Sequence, residues 1–360
     1  VTLRGYMRLT IKSLPRLGVC ACVQAIMLLM PATVLYAAAA QAEEVGITGA
    51  GSSFAAPIYQ SWSVPAGAQT GVDVNYQTVG SSAGQDQVIE RTVDFGASDK
   101  PMSAERLAKT HLYQFPTVMS GVVLVVNLPG VPEGQLRLDG PTIAALYDGR
   151  ITDWDDPRIK ALNPDITLPD MGVVAIHRAD GAGTSYVFTS YLSEVSPQWK
   201  EKIGAGTLVE WAGGAGARGN DGIAALVRQT EGSIGYVEYA YAAQNHLDIV
   251  QLKTHDGAFI APSLQSFVAA AAAAHWEAKE QFAVNLLDRP GVGSWPIVSA
   301  TYVLVPEDAV DQPEGRAVKQ FFQWGFAHGG EINAQLGYVG LPKEVSDAVL
   351  SGWPLSAAKR

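Results

Sequence analysis

The 360-residue chain is 48% hydrophobic and 17% charged, with a formal net charge of −10. That composition supports a sizeable globular core and excludes a disordered or coiled-coil chain, and the length suits one large or two medium domains. The acidic balance argues against nucleic acid and anionic membrane surfaces as partners.

The first residues form a separate unit. Arg4, Arg8, Lys12 and Arg16 precede any acidic residue, an apolar run follows from Leu17 to Tyr36, and Ala37 to Ala42 closes it with small residues. This pattern predicts a secretory signal peptide over residues 1–42, cleaved after the Ala-x-Ala of Ala40 and Ala42; Pro31 and the small-residue end argue against a membrane anchor. Both cysteines, Cys20 and Cys22, lie inside it and before most of the apolar run, which places them badly for lipid attachment. The remaining chain needs no disulfide and offers no thiolate metal site or cysteine nucleophile. Removal of residues 1–42 leaves 21 basic against 35 acidic residues, a net of −14. An anion site here cannot rely on bulk charge and needs local, aimed donors.

After the signal, strand-like and helix-like segments alternate. Val45 to Thr48 reads as a strand, Gly49-Ala50-Gly51 as a turn, and Ser53 to Val64 as a helix opened by hydroxyls. Val72 to Tyr76 alternates as a strand does. Gly80-Ser81-Ser82-Ala83-Gly84 precedes a helix from Gln85 to Arg91, and Phe95 to Asp99 is a short buried strand end. Val118 to Val126 is a long apolar strand, stopped by Asn127-Leu128-Pro129-Gly130. Then come a helix from Thr142 to Tyr147, a strand over Val173 to Ile176, the loop Arg178 to Gly183, and a helix from Tyr186 to Leu192. Asp221-Gly222-Ile223 opens a helix to Gln229, and Ser233 to Val237 is strand-like. Trp276 to Leu287 reads as a helix, Tyr302 to Val305 as a late strand and Ala317 to Ala327 as the last helix. Such alternation means an α/β protein with mostly parallel sheets, and ligands of open α/β sheets sit at the carboxyl ends of strands.

Three strand–Gly/Ser–helix junctions fall there. Arg178-Ala179-Asp180-Gly181-Ala182-Gly183-Thr184-Ser185 sets an arginine beside amides and hydroxyls that can converge on an oxyanion. Gly49-Ala50-Gly51-Ser52-Ser53-Phe54 begins like a dinucleotide fingerprint, but Phe54 stands where the third glycine belongs, and the plainer reading is a serine N-cap. Gly80-Ser81-Ser82-Ala83-Gly84 matches G-x-S-x-G. It admits an exported serine hydrolase or phosphatase with Ser82 as nucleophile and His246, His255, His275 or His328 as candidate base, or a turn in which Ser81 binds a ligand. Asp94-Phe95-Gly96 lacks every other kinase element. Asp99, before Pro101, reads plainly as a cap. His177 has no ligand partner at i+4, and no metal or cofactor motif appears. The eight tryptophans are scattered, as residues of core and cleft walls are.

At these loops the sequence resembles the phosphate-binding protein of the bacterial phosphate ABC transporter, the PstS family. The segments Ile47 to Phe54, Val79 to Ser82, Val93 to Asp99, Gln114 to Val118, Arg178 to Gly181, Gly219 to Ala225 and Gly235 to Ala240 carry the resemblance, which spans the chain beyond the signal. It implies a type II periplasmic-binding-protein fold: two α/β lobes joined by crossover strands with the ligand in the cleft, lobe 1 being 43–127 plus 302–360 and lobe 2 being 128–301. It further implies a periplasmic monomer, not an enzyme, that binds inorganic phosphate. This would be delivered to a permease of two transmembrane subunits with an ATPase dimer. Phosphate would be held by Ser53 and the Phe54 amide with Ser52 adjoining, by Ser81, and by Arg178 paired to Asp180. The amides of Ala182, Gly183 and Thr184 and the Thr184 hydroxyl would complete the set, with Asp99 accepting from the protonated ligand. A receptor for another oxyanion, such as sulfate or molybdate, is the competing binding reading.

Asp99 carries the implied selectivity. An ionised carboxylate only accepts hydrogen bonds; phosphate near neutral pH still has a proton to give, and sulfate has none. Sites built on a required hydrogen bond reject the analogue lacking it by on the order of 10⁴–10⁵. One departure weighs against tight binding. The family usually carries a serine where Ala182 stands, and a lost hydrogen bond to a charged ligand costs roughly 1.5–3 kcal/mol, on the order of 10–100-fold.

Overall fold

The computed structural model describes residues 45–272 and 274–354, so the expected signal peptide and its Ala40–Ala42 cleavage site lie outside the described residues. Strand β1 (Val45–Gly51) pairs in parallel with β2 (Val72–Thr78) and β3 (Phe95–Ser98), with α1 (Ala56–Thr70) and α2 (Ser81–Ile89) as the crossovers. Helix α3 (Ala104–Thr110) leads into the long strand β4 (Leu112–Asn127). The chain continues through β5 (Arg137–Leu138), α4 (Gly140–Tyr147), α5 (Pro157–Leu162), β6 (Val174–Arg178), α6 (Gly183–Val195) and α7 (Pro197–Lys202). Next come β7 (Ala215–Ala217), α8 (Gly219–Gln229), β8 (Ser233–Glu238), α9 (Tyr239–Gln244), β9 (Asp248–Ile249), β10 (Gln251–Lys253), β11 (Phe259–Ile260) and α10 (Leu264–Ala271). Strand β12 (Val298–Pro306), α11 (Pro313–His328), α12 (Gly330–Leu336), β13 (Val339–Gly340) and α13 (Lys343–Ser351) close the described chain.

Among the described residues the main sheet runs β2-β1-β3-β12-β4-β8-β6-β7. The expected parallel pairing holds on both flanks, β1 with β2 and β3, and β6 with β7 and β8. The centre differs: β12 is antiparallel to β3 and β4, and β4 is antiparallel to β8. The chain crosses from one flank to the other along β4 and returns along β12, which forces opposite directions there. The first part of β4, to Gly121, pairs with β12, and from Val122 to Asn127 it pairs with β8. Pro116 has no N–H for the ladder, and the β12 register shifts between Thr301 and Tyr302 beside it.

Both flanks carry aromatic cores. Tyr59, Phe95, Phe115, Phe321 and Phe322 meet edge-on at centroid separations from 5.0 to 6.5 Å on one side. On the other, Tyr147 meets Phe188 and Tyr236 edge-on at 4.9 and 5.9 Å, while Phe188 and Tyr236 stack at 4.3 Å. Each such buried ring contributes about 1.5–3 kcal/mol over exposure. Trp62, Trp154, Trp199 and Trp295 are buried in this core.

Three expectations need correction. Gly49-Ala50-Gly51 is not a turn but the end of β1, paired with Tyr76 to Thr78 of β2. The first helix starts at Ala56 rather than Ser53, because Ser52 to Ala55 turn toward Asp99 and the start of α8 instead. The helix expected over Trp276 to Leu287 is absent; only Ala278–Glu280 makes a 3₁₀ turn, and Gln281 and Phe282 take left-handed φ values of 54° and 55°. Tertiary contacts override its periodicity. Gln281 O accepts from Gln114 Nε2, Val284 N donates to Tyr302 Oη, and Phe282, Leu286 and Leu287 are drawn into the core. No described helix is long and apolar enough to cross a membrane.

Candidate functional site

Three helices begin around one point with open first turns. The N-caps of α1, α2 and α6 are Ala55, Gly80 and Ala182, none of which caps through a side chain. By contrast Ser103, Asp139, Asp156 and Ser196 close α3, α4, α5 and α7. First-turn amides have no acceptor within their own helix and are available to an anion, with the helix dipole adding about 0.3–2 kcal/mol. The helices α11 to α13 also lack side-chain caps, so this feature permits an anion site without demonstrating one.

Asp99, just past the end of β3, is 1% exposed and is not a cap. Its Oδ2 accepts from Ser52 Oγ at 2.5 Å and its Oδ1 from Thr301 Oγ1 at 2.7 Å. Its amide donates to Ser81 Oγ at 3.2 Å. Burial pushes its pKa up to about 6, against the lowering effect of Ser52, Thr301 and the Arg178 charge. The start of α6 abuts this group, since a Cβ on Gly183 would overlap the Ser81 hydroxyl and the Asp99 carboxylate. Only glycine permits that approach.

Arg178, at the end of β6, is likewise 1% exposed. Its Nε and Nη2 fork onto Asp180 at 2.7 and 2.5 Å, and its Nη1 reaches Thr184 Oγ1 at 3.4 Å. Burial raises Asp180, but the Arg178 bonds and charge outweigh it and hold the carboxyl below its usual range. The pair is thus a fixed fork. Asp180 orients the guanidinium by two parallel bonds and leaves Nη1 on the Thr184 side.

Ser53 completes the arrangement from α1's approach. Its Oγ accepts from Asn220 N at 3.3 Å and Asn220 Nδ2 at 2.9 Å, and its carbonyl accepts from Tyr241 Oη at 2.8 Å. With both lone-pair sites facing N–H groups, the Ser53 hydroxyl hydrogen is left to be donated. Ser81 and Thr184 also accept from N–H donors, so their hydroxyl hydrogens too can turn to an anion. Ser52 and Phe54 are placed differently. Ser52 Oγ gives its hydrogen to Asp99 and accepts the Phe54 amide at 2.9 Å, so the two brace the carboxylate. The Ala182 amide donates to Thr207 O at 3.0 Å.

Ser82, the alternative nucleophile, donates through Oγ to Thr207 Oγ1 at 3.1 Å and through its amide to Gly181 O at 3.0 Å. Among the described residues no histidine is hydrogen-bonded to it, and His255 pairs with Asp288 instead. A cavity of about 490 Å³ beside Asp99 has Tyr186, Lys200 and Tyr302 in its walls but not Ser53, Ser81, Arg178 or Thr184.

Residues 37–327 match the family described as a PBP superfamily domain. Phosphate-binding protein PstS of Pasteurella multocida is 47% identical over 307 residues, which is 85% of this chain and 89% of that protein. Phosphate-binding protein PstS of Haemophilus influenzae is 45% identical over 312 residues, 87% of this chain and 93% of that protein. The chain belongs to the PstS family. The crystal structure of the phosphate-binding protein of Stenotrophomonas maltophilia superposes with a TM-score of 0.65 at 18% identity, covering 85% of this chain and 93% of that one. That likeness shows the periplasmic-binding fold as a whole. PstS membership accounts for motifs that recur in order across the chain, and it leaves individual contacts to the geometry. Three participants were not foreseen: Asn220, Tyr241 and Thr301. Asn220 sits in the Gly219 to Ala225 motif but with no assigned role. Thr301 stands one residue before the strand expected over Tyr302 to Val305 and carried no signal of its own.

Proposed function

We propose that this PstS-family chain binds inorganic phosphate between two lobes, residues 43–127 plus 302–360 and residues 128–301, and delivers it to an ABC permease. Arg178, Ser53, Ser81, Thr184 and the amides of Gly183 and Thr184 donate to the anion, and Asp99 accepts its proton. The observation that carries the reading is the pairing of a buried arginine, held by Asp180, with a buried carboxylate whose other partners are hydroxyls. A fully ionised, proton-free anion would set its oxygen against that carboxylate; a protonated one supplies the missing hydrogen. The protein acts as a monomeric, exported receptor and not as an enzyme. Its signal segment is removed near Ala42.

Calorimetry tests this with phosphate and sulfate on the protein lacking residues 1–42. Phosphate should give saturable one-to-one heat that sulfate fails to displace near neutral pH. Tight sulfate binding without phosphate binding would contradict the reading.

A further inference from the structure

We propose that Ser82 and Thr207 form a latch across the mouth of the anion site that holds it shut and slows release of the ligand. The inference rests on the phosphate reading above and concerns a serine that reading does not use. Ser82 stands on the first turn of α2, against β1 and β3, whereas Thr207 lies in the segment between α7 and β7 on the opposite flank of the sheet. Their hydroxyls meet at 3.1 Å over 125 residues of chain. The same two residues also grip the anion loop through its backbone. Ser82 N donates to Gly181 O at 3.0 Å, and Thr207 O accepts the Ala182 amide at 3.0 Å.

Each residue therefore makes one bond to the other and one to the loop that carries Arg178, Asp180 and Gly183. The approach is close enough that a Cβ on Gly181 would sit 2.6 Å from Ser82 Oγ. Both side chains are partly exposed, unlike Asp99 and Arg178 beneath them. They form a rim that opens when the flanks separate. The arrangement also gives Ala182 a role: with no hydroxyl of its own, it ties the loop to Thr207 by its amide.

A bond present only in the closed form stabilises the liganded state and is broken on the route out of it, so it acts on dissociation more than on association. The experiment is stopped-flow and calorimetric phosphate binding to the parent chain and to Ser82→Ala, Thr207→Val, the double variant and Thr207→Ser. The latch predicts phosphate release faster by roughly two- to tenfold in each single removal, with the association rate unchanged. The double variant should be no faster than either single one, and Thr207→Ser should restore the parent rate. The melting temperature without phosphate should stay at the parent value, because the bond is made on closure. Equal release rates in all five proteins would overturn the latch, as would additive effects or a melting temperature lowered without ligand. Absence of phosphate binding by the parent chain would overturn the functional reading itself, and the latch with it.

Discussion

In the proposed reading, Asp99 decides what the site accepts. Burial lifts its pKa to about 6, and only the Ser52 and Thr301 hydroxyls and the Arg178 charge restrain the rise. It is ionised at neutral pH, yet protonating it costs only about 1.36 kcal/mol for each pH unit above 6, or tenfold in affinity per unit. A ligand with no proton of its own can bind by forcing a proton onto Asp99, so discrimination grows with pH instead of holding one large value. Ala182 is the second residue of consequence. It is buried at the N-cap of α6 and brings no hydroxyl of its own. Ala182→Ser should tighten phosphate binding by on the order of tenfold, from one added charge-assisted bond, and titration calorimetry reads this directly. An unchanged or weaker affinity would mean that the Gly183 and Thr184 groups already satisfy the anion on that side. Arg178 stood out in its strand-end motif and Ser81 as one alternative for its loop, whereas Asp99 read as a cap and took its role only from the family resemblance. The support given by Thr301 and Asn220 was not legible in the sequence, since both contacts link segments more than 160 residues apart.

At the scale of elements, the meeting of β4 and β8 holds a second buried acid. Glu238 accepts from Ser120 Oγ on β4 at 2.7 Å and from the Ala240 amide at 3.0 Å, and its own amide donates to Asn220 Oδ1. Burial pushes its pKa up to about 8 from 4.5, despite the hydrogen bonds from Ala240, Ser120 and Tyr338. A raised folded-state value means that folding takes up a proton. The associated stability is complete below about pH 4.5 and is lost as pH rises to about 8, by an amount on the order of a few kcal/mol. Glu238→Gln carries no titrating proton. Its melting temperature should lack that decline and gain on the parent's across this interval, then run parallel above it; parallel curves throughout would show that Glu238 is ionised when folded. The alternating pattern gave β1, β2, β3, β6 and β8 on the flanks, but it missed β7 and opened α1 three residues too early. It missed the antiparallel centre, because direction is set by which flank the chain comes from and not by residue pattern. It also misassigned Trp276 to Leu287, where packing of Phe282 and Leu286 outweighs helical periodicity.

For the whole molecule, a net charge of −10 would repel an anion, so in the proposed reading capture depends on donors aimed at one point. Those donors come from both flanks of the sheet: Ser53 and Ser81 from the β1–β3 side, Arg178 and Thr184 from the β6–β8 side. Among the described residues β4 and β12 run through the middle, and in the proposed two-lobe reading they would be the hinge for opening and closing. The central claim is that a carboxylate in this closed site admits an anion by its proton. The most direct measurement is the sulfate dissociation constant as a function of pH, since sulfate does not titrate in this range and so reports the protein alone. Sulfate binding should weaken about tenfold per pH unit above about 6, level off below it, and lose this dependence in Asp99→Asn. Sulfate affinity that is strong and flat with pH in the parent protein would contradict the account.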